Sequence, residues 1–318
     1  MRKPMAHAGI GRSNPESQRR HDLDKVSLKQ GMRETMKFGA SMFFTDYSMT
    51  PTALAVALEE RGFDALWAPE HSHIPLPRKT PPPGGGELAK HYYDVMDPFV
   101  TLTAAAMATK TLKIGTGVCL VNQRAPIQTA KLVASIDQVS GGRFLFGIGV
   151  GWNQDEMENH GTIFATRAQL VRERVEAMKA IWTSSKAEYH GEFVNFDPMM
   201  TWPKPLQKPN PPVIVGGAFP YAARRAVRYG EGWIPTTARI AKDADVFTIV
   251  PQFREMLKEA GRTPEGCPIY LFSAPEDIDT LKHYRDLGVV HVSVSVPSAK
   301  EQEVLPILDR WAALMRQL

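Results

Sequence analysis

A cluster of polar side chains begins where a glycine-rich apolar stretch ends. Residues 143–151 read as a buried strand that closes with Gly147, Gly149 and Gly151. Glycines let a flat ligand approach the backbone, because no Cβ atom stands in the way. The polar residues that follow are Asn153, Asp155, Glu156, Glu158 and His160. This change of character predicts one wall of an active site; the alternative is a tight turn followed by a solvated helix face.

A second polar set follows the apolar segment 63–69. It consists of Glu70, His71, Ser72 and His73. Histidine exchanges protons near neutral pH, so His71 is a candidate for proton transfer. His71 and His73 could also pair as metal ligands, but no third ligand is close in sequence, and we therefore expect no metal site. The alternative role for these histidines is to hydrogen-bond a ligand or to line a loop.

Two glycine segments at strand ends offer backbone surfaces to a cofactor. Gly216 and Gly217 lie between a strand and a helix that begins near Pro220, and the N–H groups of such a turn suit a phosphate. Arg224 and Arg225 on that helix either assist or are surface charges. Gly117, with its neighbour Val118, is a surface on which a planar ring could rest; packing room inside the fold is the alternative.

Two other features near strand ends are open to more than one interpretation. Trp67, Trp152 and Trp233 are either aromatic walls of a pocket or ordinary core. The spacing of the glycines in residues 147–151 does not match the dinucleotide-binding fingerprint, which requires G-x-G-x-x-G after a first strand.

The elements that must position these residues alternate along the chain. Eight short apolar segments, beginning near Met36 and ending near Val296, are each followed by an amphipathic or capped helical segment. Alternation of this kind requires parallel strands with right-handed crossovers. Eight units in about 280 residues predict an α/β fold, a (β/α)8 TIM barrel, whose site lies at the C-terminal ends of the strands. Residues 187–196 predict a β-hairpin before the fifth strand.

Charge and composition divide the chain of 318 residues into two parts. Residues 1–35 hold eight basic and four acidic residues, and this accounts for the whole net charge of +4. We expect residues 1–35 to be a disordered extension and residues 36–318 to form a single barrel domain. A neutral domain does not predict nucleic-acid or membrane binding. Two cysteines without metal-type spacing and the absence of a secretory signal predict a cytoplasmic protein.

Three motifs together resemble the luciferase-like monooxygenase superfamily. They are residues 66–74 (LWAPEHSHI), residues 141–156 (GGRFLFGIGVGWNQDE) and the pair 212–217 (PVIVGG) and 230–235 (GEGWIP). They look most like the branch that uses the deazaflavin coenzyme F420. The resemblance spans about residues 36–318 and implies a (β/α)8 barrel with insertions after the second and fourth strands.

The resemblance also implies roles for individual residues. Glu70 and His71 would lie beside the reactive face of the cofactor ring, and Gly117-Val118 would form a backbone bulge, often with a non-prolyl cis peptide, behind it. The cofactor's ring and side chain would be flanked by Val150, Gly151 and Asp155, and its phosphate would be held by Gly216 and Gly217. Some deazaflavin relatives carry an acid where Trp152 stands here. Candidates for the proton donor are therefore His71, Glu70 and Glu156.

The resulting hypothesis is an F420-dependent oxidoreductase that exchanges a hydride with an apolar or unsaturated small molecule. One alternative is an FMN-dependent monooxygenase of the same fold, which would need a separate flavin reductase. Another is a protein that binds the cofactor without turnover. The resemblance also implies a homodimer formed through barrel helices.

Overall fold

Parallel strands form the wall of a barrel in the computed structural model, which describes residues 36–237 and 245–318. The extension expected over residues 1–35 lies outside this range. The strands are β1 (Lys37–Ser41), β2 (Ala65–Ala68), β3 (Lys113–Thr116), β4 (Cys119–Leu120), β5 (Phe144–Gly149), β6 (Ala187–His190), β7 (Asn195–Met199), β8 (Val213–Gly217), β9 (Gly232–Pro235), β10 (Tyr270–Phe272) and β11 (His291–Ser295).

Helices connect these strands and cover the outside of the barrel. They are α1 (Pro51–Glu60), α2 (His91–Asp94), α3 (Pro98–Ala108), α4 (Pro126–Val139), α5 (Gln154–Asn159), α6 (Arg167–Thr183), α7 (Tyr221–Tyr229), α8 (Val246–Glu259), α9 (Ile278–Asp286) and α10 (Glu301–Met315). Short 3₁₀ turns occupy Val121–Gln123 and Phe164–Thr166. Helix α1 begins as its sequence predicts, because Thr50 accepts a hydrogen bond from the N–H of Ala53 and Pro51 occupies the first helical position.

The strand order confirms the predicted (β/α)8 barrel. Parallel neighbours run in the order β10-β11-β1-β2-β3-β5-β8-β9. The two ends of this sheet meet through a parallel bridge between Trp233 and Ile269, so the barrel is nearly closed. Side chains from β2, β5, β8 and β9 fill its interior, including Trp67, Leu145, Ile214 and Ile234. A larger apolar layer lies between the strands and the helices.

The insertions and the hairpin lie where the sequence placed them. Strands β6 and β7 form an antiparallel pair before β8. Residues 74–96 form a long excursion after β2 that contains the short helix α2, and α5 follows β5. The sequence did not reveal β4, which pairs with Ile148 and Gly149 of β5. Between β3 and β4 the Gly117–Val118 peptide bond is cis, at the position of the expected bulge.

No helix within the described parts of the chain is both long and apolar enough to span a membrane.

Candidate active site

The segments singled out from the sequence meet at the C-terminal ends of the barrel strands. His71 follows β2, the Gly117–Val118 bulge follows β3, Glu156 lies in α5 after β5, and Gly217 ends β8. In a (β/α)8 barrel this end carries the site, because the loops that follow the strands converge there.

His71 and Glu156 form a buried pair. The Nδ1 of His71 lies 2.7 Å from Oε2 of Glu156, and the two side chains are 6% and 0% exposed. The N–H of Ser72 donates to the other carboxylate oxygen at 3.0 Å. Because Nδ1 of His71 is engaged by Glu156, Nε2 is the ring nitrogen that remains for contact with a ligand.

Glu156 is ionised in this environment. Burial alone raises the pKa of Glu156, but the hydrogen bond and the charge of His71, together with the amide of Ser72, hold that pKa below its ordinary value. Glu156 is therefore a stable negative partner for His71. It is poorly suited to donate a proton itself.

Glu70 does not share the partner of the adjacent His71, because its carboxylate faces other groups. One of its carboxylate oxygens accepts from the N–H of Leu120 at 2.7 Å, and the other accepts from Nε of Arg124 at 2.5 Å. Burial lowers the pKa of Arg124, but the charge of Glu70 and the hydrogen bonds to Glu70 and Asp97 together raise it above its ordinary value. Both oxygens of Glu70 are thus engaged in holding β4 and Arg124. This geometry favours a structural role over proton donation for Glu70.

Asp155 ties the long excursion to the site. Its Oδ2 accepts from the hydroxyl of Thr80 at 2.6 Å, and from the N–H groups of Thr80 at 2.9 Å and Lys79 at 3.2 Å. These hydrogen bonds lower the pKa of Asp155, and the bond from the Thr80 hydroxyl has the largest effect. Asp155 is thus positioned to shape the wall of the site, while its predicted contact with a cofactor stays a prediction.

The glycines of β5 serve the protein's own packing, which corrects the interpretation that they admit a ligand. A Cβ at Gly147 would lie 1.9 Å from the carbonyl oxygen of Thr116, and one at Gly149 would lie 2.6 Å from Val118. A Cβ at Gly216 would lie 2.8 Å from Val118. The side chain of Val118 therefore fills the space that two glycines leave, and the bulge is packed against β5 and β8.

Val150 and Gly151 directly follow the closely packed glycines of β5. The carbonyl of Val150 accepts from Nδ2 of Asn122 at 3.2 Å. Gly151 has a φ of +67°, and a Cβ there would lie 2.6 Å from Met157. Gly151 is thus required by the turn into α5. Contact of either residue with a cofactor stays a prediction.

Two arginines, Arg225 and Arg167, lie near the end of β8. Gly217 has a φ of +133°, and a Cβ built on it would lie 3.5 Å from the guanidinium of Arg225. The buried Nε of Arg225 has no hydrogen-bond partner among the described residues, and the same holds for Nε of Arg167. Burial lowers the pKa of both guanidiniums, and the charge of Arg225 lowers that of Arg167 further. Of the two arginines weighed from the sequence, Arg224 is exposed and Arg225 is half-buried.

Aromatic side chains line the mouth of the site. Tyr92, from the excursion, lies 5.3 Å from His71 and 4.7 Å from Phe43 between ring centroids. Trp152 lies 5.7 Å from His71, with the guanidinium of Arg78 over its ring. Trp67 and Trp233 are fully buried core residues, so the interpretation as aromatic walls is wrong for them and applies to Trp152.

The two histidines weighed as metal ligands turn to different partners. His71 binds Glu156, whereas His73 contacts Ser72 and Asn159. In the described ranges, no three side chains of the types that bind metals are grouped to hold an ion.

Sequence reasoning missed Arg124, Arg167, Phe43 and Tyr92. The two arginines stand in segments without a motif, and the contacts that bring them to the site, Arg124 with Glu70 and Arg167 with Arg225, join residues distant in the chain. The run His91-Tyr92-Tyr93 in the excursion was the available signal for an aromatic lining.

The parallel barrel, with a buried His71–Glu156 pair and two partly buried arginines at the C-terminal ends of its strands, has the layout of a (β/α)8 enzyme. The family model described as luciferase-like monooxygenase matches residues 49–275. The chain therefore belongs to the luciferase-like monooxygenase family, as its motifs predicted.

The chain is similar to oxidoreductases that use two different cofactors, F420 and reduced FMN. An uncharacterized protein of Mycobacterium tuberculosis is 36% identical over 287 residues, which is 87% of this chain and 98% of that protein. The F420-dependent hydroxymycolic acid dehydrogenase of the same species is 26% identical, covering 82% of this chain and 71% of its own length. The FMNH2-dependent dimethylsulfone monooxygenase of Pseudomonas putida is 33% identical over 136 residues, 42% of this chain and 37% of its own.

Solved structures agree on the fold. The crystal structure of the monooxygenase RslO1 from Streptomyces bottropensis superposes with a TM-score of 0.74 at 20% sequence identity, covering 89% of this chain and 99% of that one.

Proposed function

We propose that this protein is an F420-dependent oxidoreductase that transfers a hydride between the deazaflavin and an apolar or unsaturated small molecule. The observation that carries the proposal is the buried His71–Glu156 pair at the C-terminal end of a luciferase-like barrel. A deazaflavin supplies two-electron hydride chemistry, and the protein must supply a proton and orientation.

His71 is the residue that we assign to proton transfer. Glu156 fixes Nδ1 and stabilises a positive charge on the ring, so Nε2 exchanges the proton with the substrate. Glu156 is a positioning residue in this proposal, and Glu70 holds the β4 segment behind the site. The aromatic rings of Phe43, Tyr92 and Trp152 favour an apolar substrate.

The two arginines near the end of β8 would bind the phosphate of the cofactor. Arg225 carries a buried nitrogen that has no partner in the described residues, and Gly217 presents backbone without a side chain beside it. A phosphate would supply the missing acceptor for this guanidinium and would compensate its buried charge. Gly216, Gly217, Arg225 and Arg167 would hold that group, and the bulge at Gly117–Val118 would support the ring from behind.

An FMN-dependent monooxygenase is the second candidate. The partial match to the dimethylsulfone monooxygenase favours it, because that relative uses reduced FMN. FMN also carries a phosphate, so Arg225 would bind the phosphate of either cofactor. The two candidates differ in the ring that binds and in oxygen consumption.

A comparative titration of the full chain tests the proposal. Protein fluorescence is followed with F420, with oxidised FMN and, under anaerobic conditions, with reduced FMN. We expect tight binding of F420 and weak binding of both forms of FMN. Preference for reduced FMN together with oxygen consumption would replace the proposal with the second candidate.

Variants at Arg225 and Gly217 test whether the phosphate binds beside them. Arg225→Met should weaken F420 binding roughly 10- to 100-fold, because one charge-assisted hydrogen bond is lost. Gly217→Val should weaken it as well, since a side chain would obstruct the backbone. Arg224→Met is the matched control, on the same helix but exposed, and should bind as the wild type does. Equal affinities in all three variants would place the phosphate elsewhere.

A further inference from the structure

Four side chains beside the His71–Glu156 pair form a continuous hydrogen-bonded group, here named the Ser72 network. It consists of Ser72, His73, Asn159 and His160. The Ser72 hydroxyl lies 2.7 Å from Nε2 of His160 and 2.9 Å from Nδ1 of His73. It also lies 3.4 Å from Oε1 of Glu156, and Nδ2 of Asn159 lies 2.9 Å from Nε2 of His73.

The position of each hydrogen in this network follows from its donors. The amide nitrogen of Asn159 carries only hydrogens, so Nε2 of His73 must accept and Nδ1 of His73 must carry the ring proton. His73 therefore donates to the Ser72 hydroxyl. A hydroxyl has one hydrogen, and when His160 is neutral the closest acceptor for it is Nε2 of His160, at 2.7 Å.

Protonation of His160 reverses this last bond. Both ring nitrogens of a protonated imidazole carry hydrogens, so Nε2 of His160 then donates to the Ser72 hydroxyl. The oxygen of Ser72 can accept from two histidines, but its own hydrogen must find another acceptor. Oε1 of Glu156, at 3.4 Å from the hydroxyl oxygen, can accept that hydrogen.

We propose that His160 is a positioning residue that acts on the His71–Glu156 pair through the Ser72 hydroxyl, whose hydrogen turns from His160 to Glu156 when His160 gains a proton. Glu156 then shares its negative charge with an additional donor and attracts the His71 proton less strongly. The hydroxyl thus couples an exposed histidine to a buried pair. The inference rests on the proposed function only in giving His71 its role in proton transfer.

Charges around His160 determine the pH at which the hydroxyl turns. Burial and the neighbouring His73 lower the pKa of His160 below its ordinary value. Three further groups act on it: Glu156 and Glu70 raise that pKa, and Arg124 lowers it. The proton therefore arrives at His160 on the acidic side of the usual histidine range.

Histidine NMR on the full chain without cofactor tests the coupling. The protein is labelled at the ring carbon Cε1 of histidine and titrated between about pH 5 and 8.5, a range chosen to span the ordinary histidine pKa. In the wild type we expect the His71 signal to show an inflection at the pH at which His160 titrates. In Ser72→Ala this inflection should be lost while His160 still titrates.

Two further variants separate the hydroxyl from simple proximity. Ser72→Thr keeps the hydroxyl and should restore the inflection of the His71 signal. His190→Gln removes an exposed histidine of the β6–β7 hairpin and should leave the His71 signal unchanged. An inflection that persists in Ser72→Ala would overturn the proposal, because charge alone would then explain the coupling. A wild-type His71 signal without an inflection at the pH at which His160 titrates would also overturn the proposal.

This result is independent of the cofactor. Failure of the protein to bind F420 would overturn the proposed function and leave the NMR result standing. Loss of the NMR coupling would overturn the role of His160 and leave F420 binding intact.

Discussion

Single residues at the site divide, in the proposed function, into those that transfer or orient a proton and those that hold the backbone. The sequence placed Glu70, His71 and Glu156 together as candidates, but only contacts across the fold separate their roles. Glu156 lies 85 positions from His71 and meets it at 2.7 Å, whereas Glu70 turns to Arg124. Adjacent residues that follow a strand face different directions, so their partners cannot be deduced from spacing alone.

Substitution of His71 should separate catalysis from binding. We expect His71→Ala to lower hydride transfer by roughly 10²- to 10⁴-fold, the usual contribution of a general acid. Binding of F420 should change far less, because the phosphate end provides affinity independently. The measurement is the F420 absorbance during turnover with a panel of ketones and enones, with binding followed by fluorescence. Turnover equal to that of the wild type would remove His71 from the mechanism.

Elements of secondary structure were predictable where a periodic pattern was long enough. The alternation of eight apolar segments with helices determined the barrel, and Thr50-Pro51 located the start of α1. Strand β4 has two residues and so shows no periodicity. The role of the β5 glycines was misread for a related reason. Glycine in a strand predicts a close approach, but the sequence does not say whether a ligand or the protein approaches.

A methyl group on Gly147 should destabilise the seam between β3 and β5. The new Cβ would lie 1.9 Å from the carbonyl oxygen of Thr116, whose hydroxyl already donates to the carbonyl of Gly147 at 2.6 Å. We expect Gly147→Ala to lower the free energy of unfolding by roughly 3 kcal/mol or more, since backbone must move. Urea unfolding measures it.

Gly266 provides the matched control for this substitution. A Cβ there would meet Thr263 at an ordinary 3.5 Å, so Gly266→Ala should be tolerated. Equal unfolding free energies for the two variants would contradict the packing described for the bulge.

Stability of the whole barrel should depend on pH through His291. This histidine is 3% exposed inside the barrel, and neither ring nitrogen has a hydrogen-bond partner in the described parts of the chain. Burial lowers the pKa of His291 to about 4, although Asp64 opposes the shift. The unfolded chain binds this proton more readily, so stability is retained above the ordinary histidine pKa of about 6.5 and is lost as the pH falls toward 4.

The contribution of His291 can be isolated with His291→Gln, which does not titrate. Between pH 7 and pH 5 the wild type should lose about 2 kcal/mol more unfolding free energy than the variant does. Urea unfolding at the two pH values gives this difference. Parallel losses in both proteins would mean that His291 is protonated, or solvated, in the folded state.

A largely apolar outer surface on neighbouring helices leads us to propose a homodimer. Helix α3 contains no charged residue, and Val100 and Met107 on it are 70% and 68% exposed. Helix α4 packs beside it and exposes Leu132 and Val139, together with one charged side chain, Lys131. A two-fold contact brings the same surface of both copies together, so a surface with little charge suits self-association.

Placing a charge on each of the two large exposed side chains of α3 should separate the two copies. We expect Val100→Glu with Met107→Glu to convert a dimer into a folded monomer, because a two-fold contact would bury like charges against each other. Light scattering coupled to size-exclusion chromatography measures the mass. Met200→Glu is the control, on an equally exposed apolar residue outside α3 and α4, and should remain dimeric. A monomeric wild type, or a double variant that stays dimeric, would contradict an interface on this surface.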